Sequence, residues 1–344
     1  MSDTETNPAA YAEQLMPIAM GYINTQILLN ADALGVFDFL EGGPRDVDAI
    51  AQGIGIGRDP AERLLIGCTV LGLVSRDGDA FALTDASRAC LVKSAPTYMG
   101  GLFPFTRSTL YRLFHSLSDS LQDPKPQWDK VPGMAPGGPF EAMYADPEEL
   151  ARFQDAMFGL AYPTAMAASE KFDFGAFDLA VDVGGGTGGF VNGLCQRFPS
   201  LRGRIFDLPP VESAARATIA RLGLEGRVDF EQGDFFSEPI PTDADLIILG
   251  DILHDWSEAE GTAILEKVYE ALPEGGALCV QENILTPERD GSYVTAMINL
   301  TMLVAATGKQ HSPAEFETWL GGIGFKRFEH HYLAAPRDVL IAWK

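Results

Sequence analysis

The sequence predicts a doubly wound α/β domain that closes on an antiparallel hairpin and follows a helical, winged-helix-like domain. Three observations carry that expectation. The first hundred residues keep apolar side chains at three- and four-residue spacing, the mark of amphipathic helices. From residue 178 onward, apolar runs of strand length alternate with helical stretches, the mark of βαβ units and a parallel sheet. Finally, VDVGGGTGGF, residues 181–190, sets a glycine-rich turn directly after the first such run, where open α/β sheets bind their ligands.

Taken in order, PIAMGYINTQILLNADALGVFDFL (17–40) reads as helix with a continuous apolar stripe. DVDAIAQGIGI, RDPAERLLIGCTVLGLV and RDGDAFALT then follow as helix, turn, helix and hairpin, a winged-helix pattern. The would-be recognition helix mixes Asp59 and Glu62 with Arg58 and Arg63, so a dimerisation platform is preferred to DNA binding. DPKPQWDKVPGMAPGGP (123–139) is dense in Pro and Gly and is expected to be an exposed connection without regular structure. The helical stretch DPEELARFQDAMFGLAYPTAMAAS leads into the strands DLAVDV, RGRIFDL, RVDFEQGD, ADLIILGD and GALCVQENIL, separated by VESAARATIARLG and SEAEGTAILEKVYEALP. KRFEHHYL and RDVLIAWK read as the closing hairpin. The expected divisions are 1–102 for the dimerisation domain, 103–170 for a helical and loop connection contributing to the pocket, and 171–344 for the ligand-binding catalytic domain.

Composition narrows the partners. The chain has 344 residues, ample for two cores, and a formal charge of −23, which repels nucleic acid and anionic membranes; neither is expected as a partner. Cys68, Cys90, Cys195 and Cys279 are far apart and lack metal-ligand spacing, so they read as reduced core residues in a cytoplasm, and no metal is expected. The start, MSDTETNPAA, has no signal-peptide character, and no run of about 18 apolar residues is long enough to span a bilayer.

The glycine-rich turn fits two patterns. Gly184, Gly186 and Gly189 match the dinucleotide spacing G-x-G-x-x-G, and Asp182, Gly184, Gly186 and Gly188 match acid-x-G-x-G-x-G. A carboxylate at the mouth repels a pyrophosphate and attracts the ammonium of a methionine-like ligand, so Asp182 leans towards S-adenosylmethionine. Asp207, at the end of the second strand, suits ribose hydroxyls in either case, while Asp234 suits an adenine amino group, with Phe235 against the ring. The alternative for Asp207 and Asp234 is that they cap turns.

DVGGGTG, GDFF, ILHDWSEAE, YEALPEGGALCVQENIL, ATGKQHSPAEFETWL and GIGF, in that order, resemble the caffeate and hydroxyindole type of small-molecule S-adenosylmethionine-dependent O-methyltransferase. The resemblance runs over nearly the whole chain and is specific for family, less so for substrate. It implies a class I methyltransferase fold, a homodimer formed through the N-terminal domain, S-adenosylmethionine as cofactor and S-adenosylhomocysteine as product. The cofactor set is Asp182, Gly184, Gly186, Asp207, Leu208, Gly233, Asp234, Phe235 and Gly250. By the same resemblance His254 in LHDW is the general base and Glu282 in QENIL the acid that orients it, with Gln310 completing the catalytic set.

Two positions depart from the plant pattern. Gly308, Lys309, Gln310, His311 and Ser312 stand where plant members read Gly-Lys-Glu-Arg-Thr, so Gln310 can orient His254 without sharing charge; Gly250 replaces a cofactor-side lysine. Met157, Phe158 and Tyr162 on one helix and Met297, Asn299 and Met302 on another are expected to wall the acceptor pocket, Asn299 with its amide towards substrate. Methylation of a hydroxyl on a small molecule ranks first. S-methylation of a thioether comes second, because bacterial S-methyltransferases acting on 4-methylthio-2-hydroxybutyrate, in dimethylsulfoniopropionate synthesis, resemble the same family; His254 would then only position substrate. A winged-helix regulator that senses S-adenosylmethionine comes last.

Overall fold

The computed structural model describes residues 8–95, 98–99, 101–130, 144, 146–289 and 292–344. The chain divides into two compact units, Met1–Arg107 and Ser108–Lys344. In the first, helices Pro8–Ala19, Gly21–Ala33, Val36–Glu41, Val47–Gly53 and Arg58–Val70 are joined by a small antiparallel sheet of β1 (Arg45–Asp46), β2 (Val74–Asp77) and β3 (Ala80–Leu83), in the order β1-β3-β2. Phe37, Leu40, Ile50, Leu65, Cys68 and Phe81 fill its core. Side-chain oxygens start two of its helices: Asp46 accepts the Ala49 N–H and Thr84 that of Ser87. This is the helix, turn, helix and wing read from the sequence. Tyr11, Leu15, Met16 and Ile18 leave an apolar face exposed on the first helix.

The second unit holds a seven-stranded sheet: β4 (Leu179–Val183), β5 (Arg202–Asp207), β6 (Val228–Gln232), β7 (Leu246–Gly250), β8 (Ala277–Glu282), β9 (Arg327–His331) and β10 (Asp338–Trp343). The order is β6-β5-β4-β7-β8-β10-β9, parallel except for β10, which runs antiparallel to both neighbours. The central strands β4, β7 and β8 are buried on both faces because helices cover both. Val181, Val183, Ile247 and Leu249 pack on one side with Ile264, Leu265 and Phe316; Ala180, Ile205, Leu246 and Ile248 pack on the other with Phe190, Leu194 and Ile219. The order reverses between β4 and β7, which opens a crevice at their carboxyl ends.

The expected exposed connection at 123–139 is corrected in part. Gln127 and Trp128 are buried, and the Trp128 indole N–H donates to the Ala305 carbonyl at 2.6 Å. A large ring with one satisfied donor gains more from burial against the helix Tyr293–Ala305 than the Pro-rich backbone loses. Residues 131–143 lie outside the described residues. No helix among the described residues is long and apolar enough to cross a membrane.

Candidate active site

The loop after β4 requires glycine for two reasons at once. Gly186 has φ +57°, in the left-handed region, and a Cβ there would collide with Oε1 of Gln154, on the helix Pro147–Ala168. That oxygen accepts the Thr187 N–H at 3.0 Å and so holds the turn. The Gly186 N–H donates at 2.7 Å to Asp207, at the end of β5, whose carboxylate also accepts the Leu208 N–H at 2.6 Å and the Tyr144 hydroxyl. Burial nevertheless pushes the Asp207 carboxyl up to about 6. Asp182, on β4, accepts a long bond of 3.4 Å from the Val191 N–H, and burial, reinforced by Asp207, pushes it up to about 7.

These residues line a cavity of about 300 Å³. All nine residues of the expected cofactor set, Asp182, Gly184, Gly186, Asp207, Leu208, Gly233, Asp234, Phe235 and Gly250, lie on its wall. Asp234 also caps its own turn, accepting the Phe236 N–H at 2.8 Å and the Ser237 hydroxyl at 2.9 Å. Phe235, Phe236 and Trp256 form an aromatic rim, the last two with centroids 4.6 Å apart, edge to face. Met157 and Phe158 close the cavity from the helix Pro147–Ala168.

The other expected wall residues do not line it. Tyr162 stacks on Phe158 and donates its hydroxyl to Gln196. Met297 is 43% exposed on the surface of the helix Tyr293–Ala305, and Met302 is buried in that helix. Asn299 is also corrected: its carbonyl accepts the Gln310 backbone N–H at 3.0 Å, so the amide shapes a loop. Helical spacing marks which residues share a face, whereas the cavity is reached by one turn of that face.

The second half of the site follows β7. Asp251 adopts φ +54°, unusual for a residue with a side chain, and its N–H donates to the Gln281 carbonyl at 2.9 Å. Its Oδ1 takes the Arg337 guanidinium at 2.6 Å, with both side chains almost wholly buried. A single 3₁₀ turn, Leu253–Asp255, then presents His254, which is 5% exposed. Its Nδ1 lies 2.7 Å from the Gln310 amide nitrogen; its Nε2 lies 3.7 Å from Asp255 Oδ1 and 3.9 Å from Asp251 Oδ1. Burial holds the imidazole down at about 4, so it is neutral at physiological pH, and burial pushes Asp255 and Glu282 well above the carboxylate range.

Here the expected role of Glu282 is corrected. Its Oε1 accepts the backbone N–H of His254 at 3.1 Å, and Gln310 is the residue on the ring. From the last position of β8 the carboxyl meets the amides of the turn before it reaches the imidazole edge. Gln310 arrives by a close approach of its loop: a Cβ at Gly308 would collide with the carbonyls of His254 and Trp256, and the Thr307 N–H donates to the Asp255 carbonyl at 3.2 Å. Sequence reasoning missed Tyr144, Gln154, Asp251, Asp255 and Arg337. The two acids flank His254 in GDILHDW and were legible there; Arg337, 86 residues from its partner, was not.

Residues 114–326 match the family model described as the O-methyltransferase domain, and residues 16–93 match the O-methyltransferase dimerisation domain. The chain is 31% identical over 327 residues to 3-hydroxy-5-methyl-1-naphthoate 3-O-methyltransferase of Streptomyces sahachiroi, covering 94% of this chain and 92% of that one. It is 31% identical over 332 residues to human acetylserotonin O-methyltransferase, covering 95% and 96%. Among solved structures, human N-acetylserotonin methyltransferase in complex with SAM superposes with a TM-score of 0.91 over 100% of this chain and 99% of that one, at 31% identity. The mitomycin 7-O-methyltransferase gives 0.85 over 98% and 99%, at 27% identity. The cavity suits S-adenosylmethionine on this chain's own evidence. Two buried acids, Asp182 and Asp207, line it, and the loop holds its close course because a Cβ at Gly184 would meet Ile252 and one at Gly186 would meet Gln154.

Proposed function

The chain belongs to the S-adenosylmethionine-dependent O-methyltransferase family, and from that premise we propose that it methylates the hydroxyl of a small planar aromatic molecule, with His254 as proton acceptor. The observation that carries the proposal is the placement of the imidazole. It is buried and neutral, and both carboxyl groups nearest its Nε2, those of Asp251 and Asp255, belong to residues lining the cavity. With the Gln310 amide turned so that its carbonyl accepts Nδ1–H, the neutral ring's Nε2, on the side of those two acids, takes up the proton that a hydroxyl releases as it becomes a nucleophile. Phe236 and Trp256, with Met157 and Phe158 from the helix Pro147–Ala168, suit a flat apolar ring system such as the naphthoate named for one relative.

S-adenosylmethionine, when bound, supplies an electrophilic methyl group on a sulfonium. Asp207 and Leu208 would hold its ribose side, Asp182 its ammonium, and Asp234 with Phe235 its adenine. Enclosure among Gln154, Ile252 and the aromatic rim excludes water, and placement of the acceptor supplies much of the acceleration. Residues 1–102 form the dimerising domain, 103–170 the connection that contributes Met157 and Phe158, and 171–344 the catalytic domain. The exposed Tyr11, Leu15, Met16 and Ile18 suit burial against a second copy, and four free thiols suit the cytoplasm.

Incubation with methyl-labelled S-adenosylmethionine and a panel of N-acetylserotonin, hydroxynaphthoates, simple phenols and a thioether tests the proposal. Label is expected in the methyl ether of an aromatic hydroxyl, and His254→Ala is expected to lower kcat by roughly 10²–10⁴-fold on that acceptor. Label in the thioether alone, or an unchanged kcat in the variant, would overturn it.

A further inference from the structure

We propose that the site selects acceptors whose hydroxyl is already acidic, a phenol or enol bearing electron-withdrawing groups, because the ring of His254 is steered by the neutral amide of Gln310. The inference rests on the reading of His254 as proton acceptor. Gln310 acts through His254 and is a positioning residue.

The groups facing the imidazole come from four segments. Asp251 and Asp255 flank it on its own stretch, Glu282 from β8 holds the backbone N–H of the same residue, Gln310 and His311 come from the loop before the helix Pro313–Ile323, and Arg337 comes from the closing hairpin. A protonated ring needs a counter-charge, and each candidate is otherwise engaged. Asp251 is paired with Arg337 at 2.6 Å. Glu282 spends Oε1 on a backbone N–H, and burial disfavours the charged form of its carboxyl and of that of Asp255. On Nδ1 stands an amide, which orients the ring without charge. Gln310 is 1% exposed, and its backbone is held by the Asn299 carbonyl and the close approach at Gly308, so water does not take its place. Its Oε1 has no hydrogen-bond partner among the described residues. A half-turn of the amide sets Oε1 on Nδ1–H and leaves Nε2 open as the base.

The consequence is a weak base. With burial holding the imidazole down and an amide rather than a carboxylate on Nδ1, proton transfer from an ordinary phenol is uphill. Electron-withdrawing substituents close most of that gap, at a smaller cost in nucleophilicity of the phenolate.

The test compares kcat at saturating S-adenosylmethionine for 1-naphthol and its 4-nitro and 4-methoxy derivatives. Near neutral pH the nitro compound is expected to turn over at least about 10-fold faster than 1-naphthol and the methoxy compound slowest, with the gap narrowing as pH rises. Gln310→Glu places a carboxylate on Nδ1, so it is expected to move the acid limb of kcat upward by about 1–2 units and to raise turnover of 1-naphthol about 10-fold. Gln310→Met, which packs without a hydrogen bond, is expected to lower kcat on all three. Calorimetric S-adenosylmethionine affinity shows whether each variant is folded. A methoxy compound turned over as fast as the nitro compound would overturn the inference alone, as would a folded Gln310→Glu enzyme with an unmoved limb. Should that variant not fold, the wild-type series decides by itself. Failure of all three to accept a methyl group overturns the inference together with the reading of the site on which it rests.

Discussion

Replacing Gly186 with alanine tests the central claim that the loop is shaped for a ligand. Two separable costs arise. A side chain at φ +57° sits in the left-handed region, at about 1–2 kcal/mol. The new methyl group also displaces Gln154 Oε1, which costs the Thr187 N–H its acceptor, a buried loss of about 1–3 kcal/mol. Together these destabilise the protein by about 2–5 kcal/mol in urea denaturation of the unliganded enzyme. Gly223→Ala serves as control: its φ is +68°, yet nothing lies within 4 Å of its Cβ position, so it should show only the conformational part. Because the Gly186 N–H also holds Asp207, S-adenosylmethionine affinity should fall at least about 10-fold in Gly186→Ala and stay unchanged in Gly223→Ala. Equal destabilisation by the two substitutions, with unchanged affinity in both, would refute the reasoning.

Three further outcomes follow from the same geometry. Asp207→Ala should weaken S-adenosylmethionine binding by on the order of 2–3 kcal/mol, since it removes an acceptor for ribose and strands the Gly186 and Leu208 N–H groups; unchanged calorimetric affinity would contradict it. Affinity should also depend on pH. Burial raises Asp182 to about 7 and Asp207 to about 6 in the free protein, whereas an ammonium and two hydroxyl donors favour the ionised carboxylates, so binding releases protons and weakens as pH falls from 7 through 6. Calorimetry in two buffers of different ionisation enthalpy measures the release, and a constant affinity between pH 5 and 8 would exclude it. Light scattering of an active preparation should give a homodimer at micromolar concentration; a monomer mass would contradict the assembly inferred from the exposed first helix.

Much of the site was written in local pattern. Alternating strand-length runs and helices demand a parallel sheet, a parallel sheet collects the carboxyl ends of its strands on one edge, and so Asp182, Asp207 and Asp234 had to converge with the glycine loop. His254 was legible for the same reason, as it follows β7 by four residues. Gln310 was legible as well, as a residue that can orient His254. The partners of Glu282 and Arg337, 28 residues from His254 and 86 residues from Asp251, were not, because they turn on where a carboxyl at the end of β8 first meets a backbone amide and on how the closing hairpin packs. Tyr162 and Asn299 share the lesson. Helical spacing put them on a face, and neighbouring chains, through Gln196 and the Gln310 N–H, claimed their polar atoms first. Periodicity and strand-end position are properties of the chain alone, whereas the protonation state of a buried histidine depends on every group that folding packs around it.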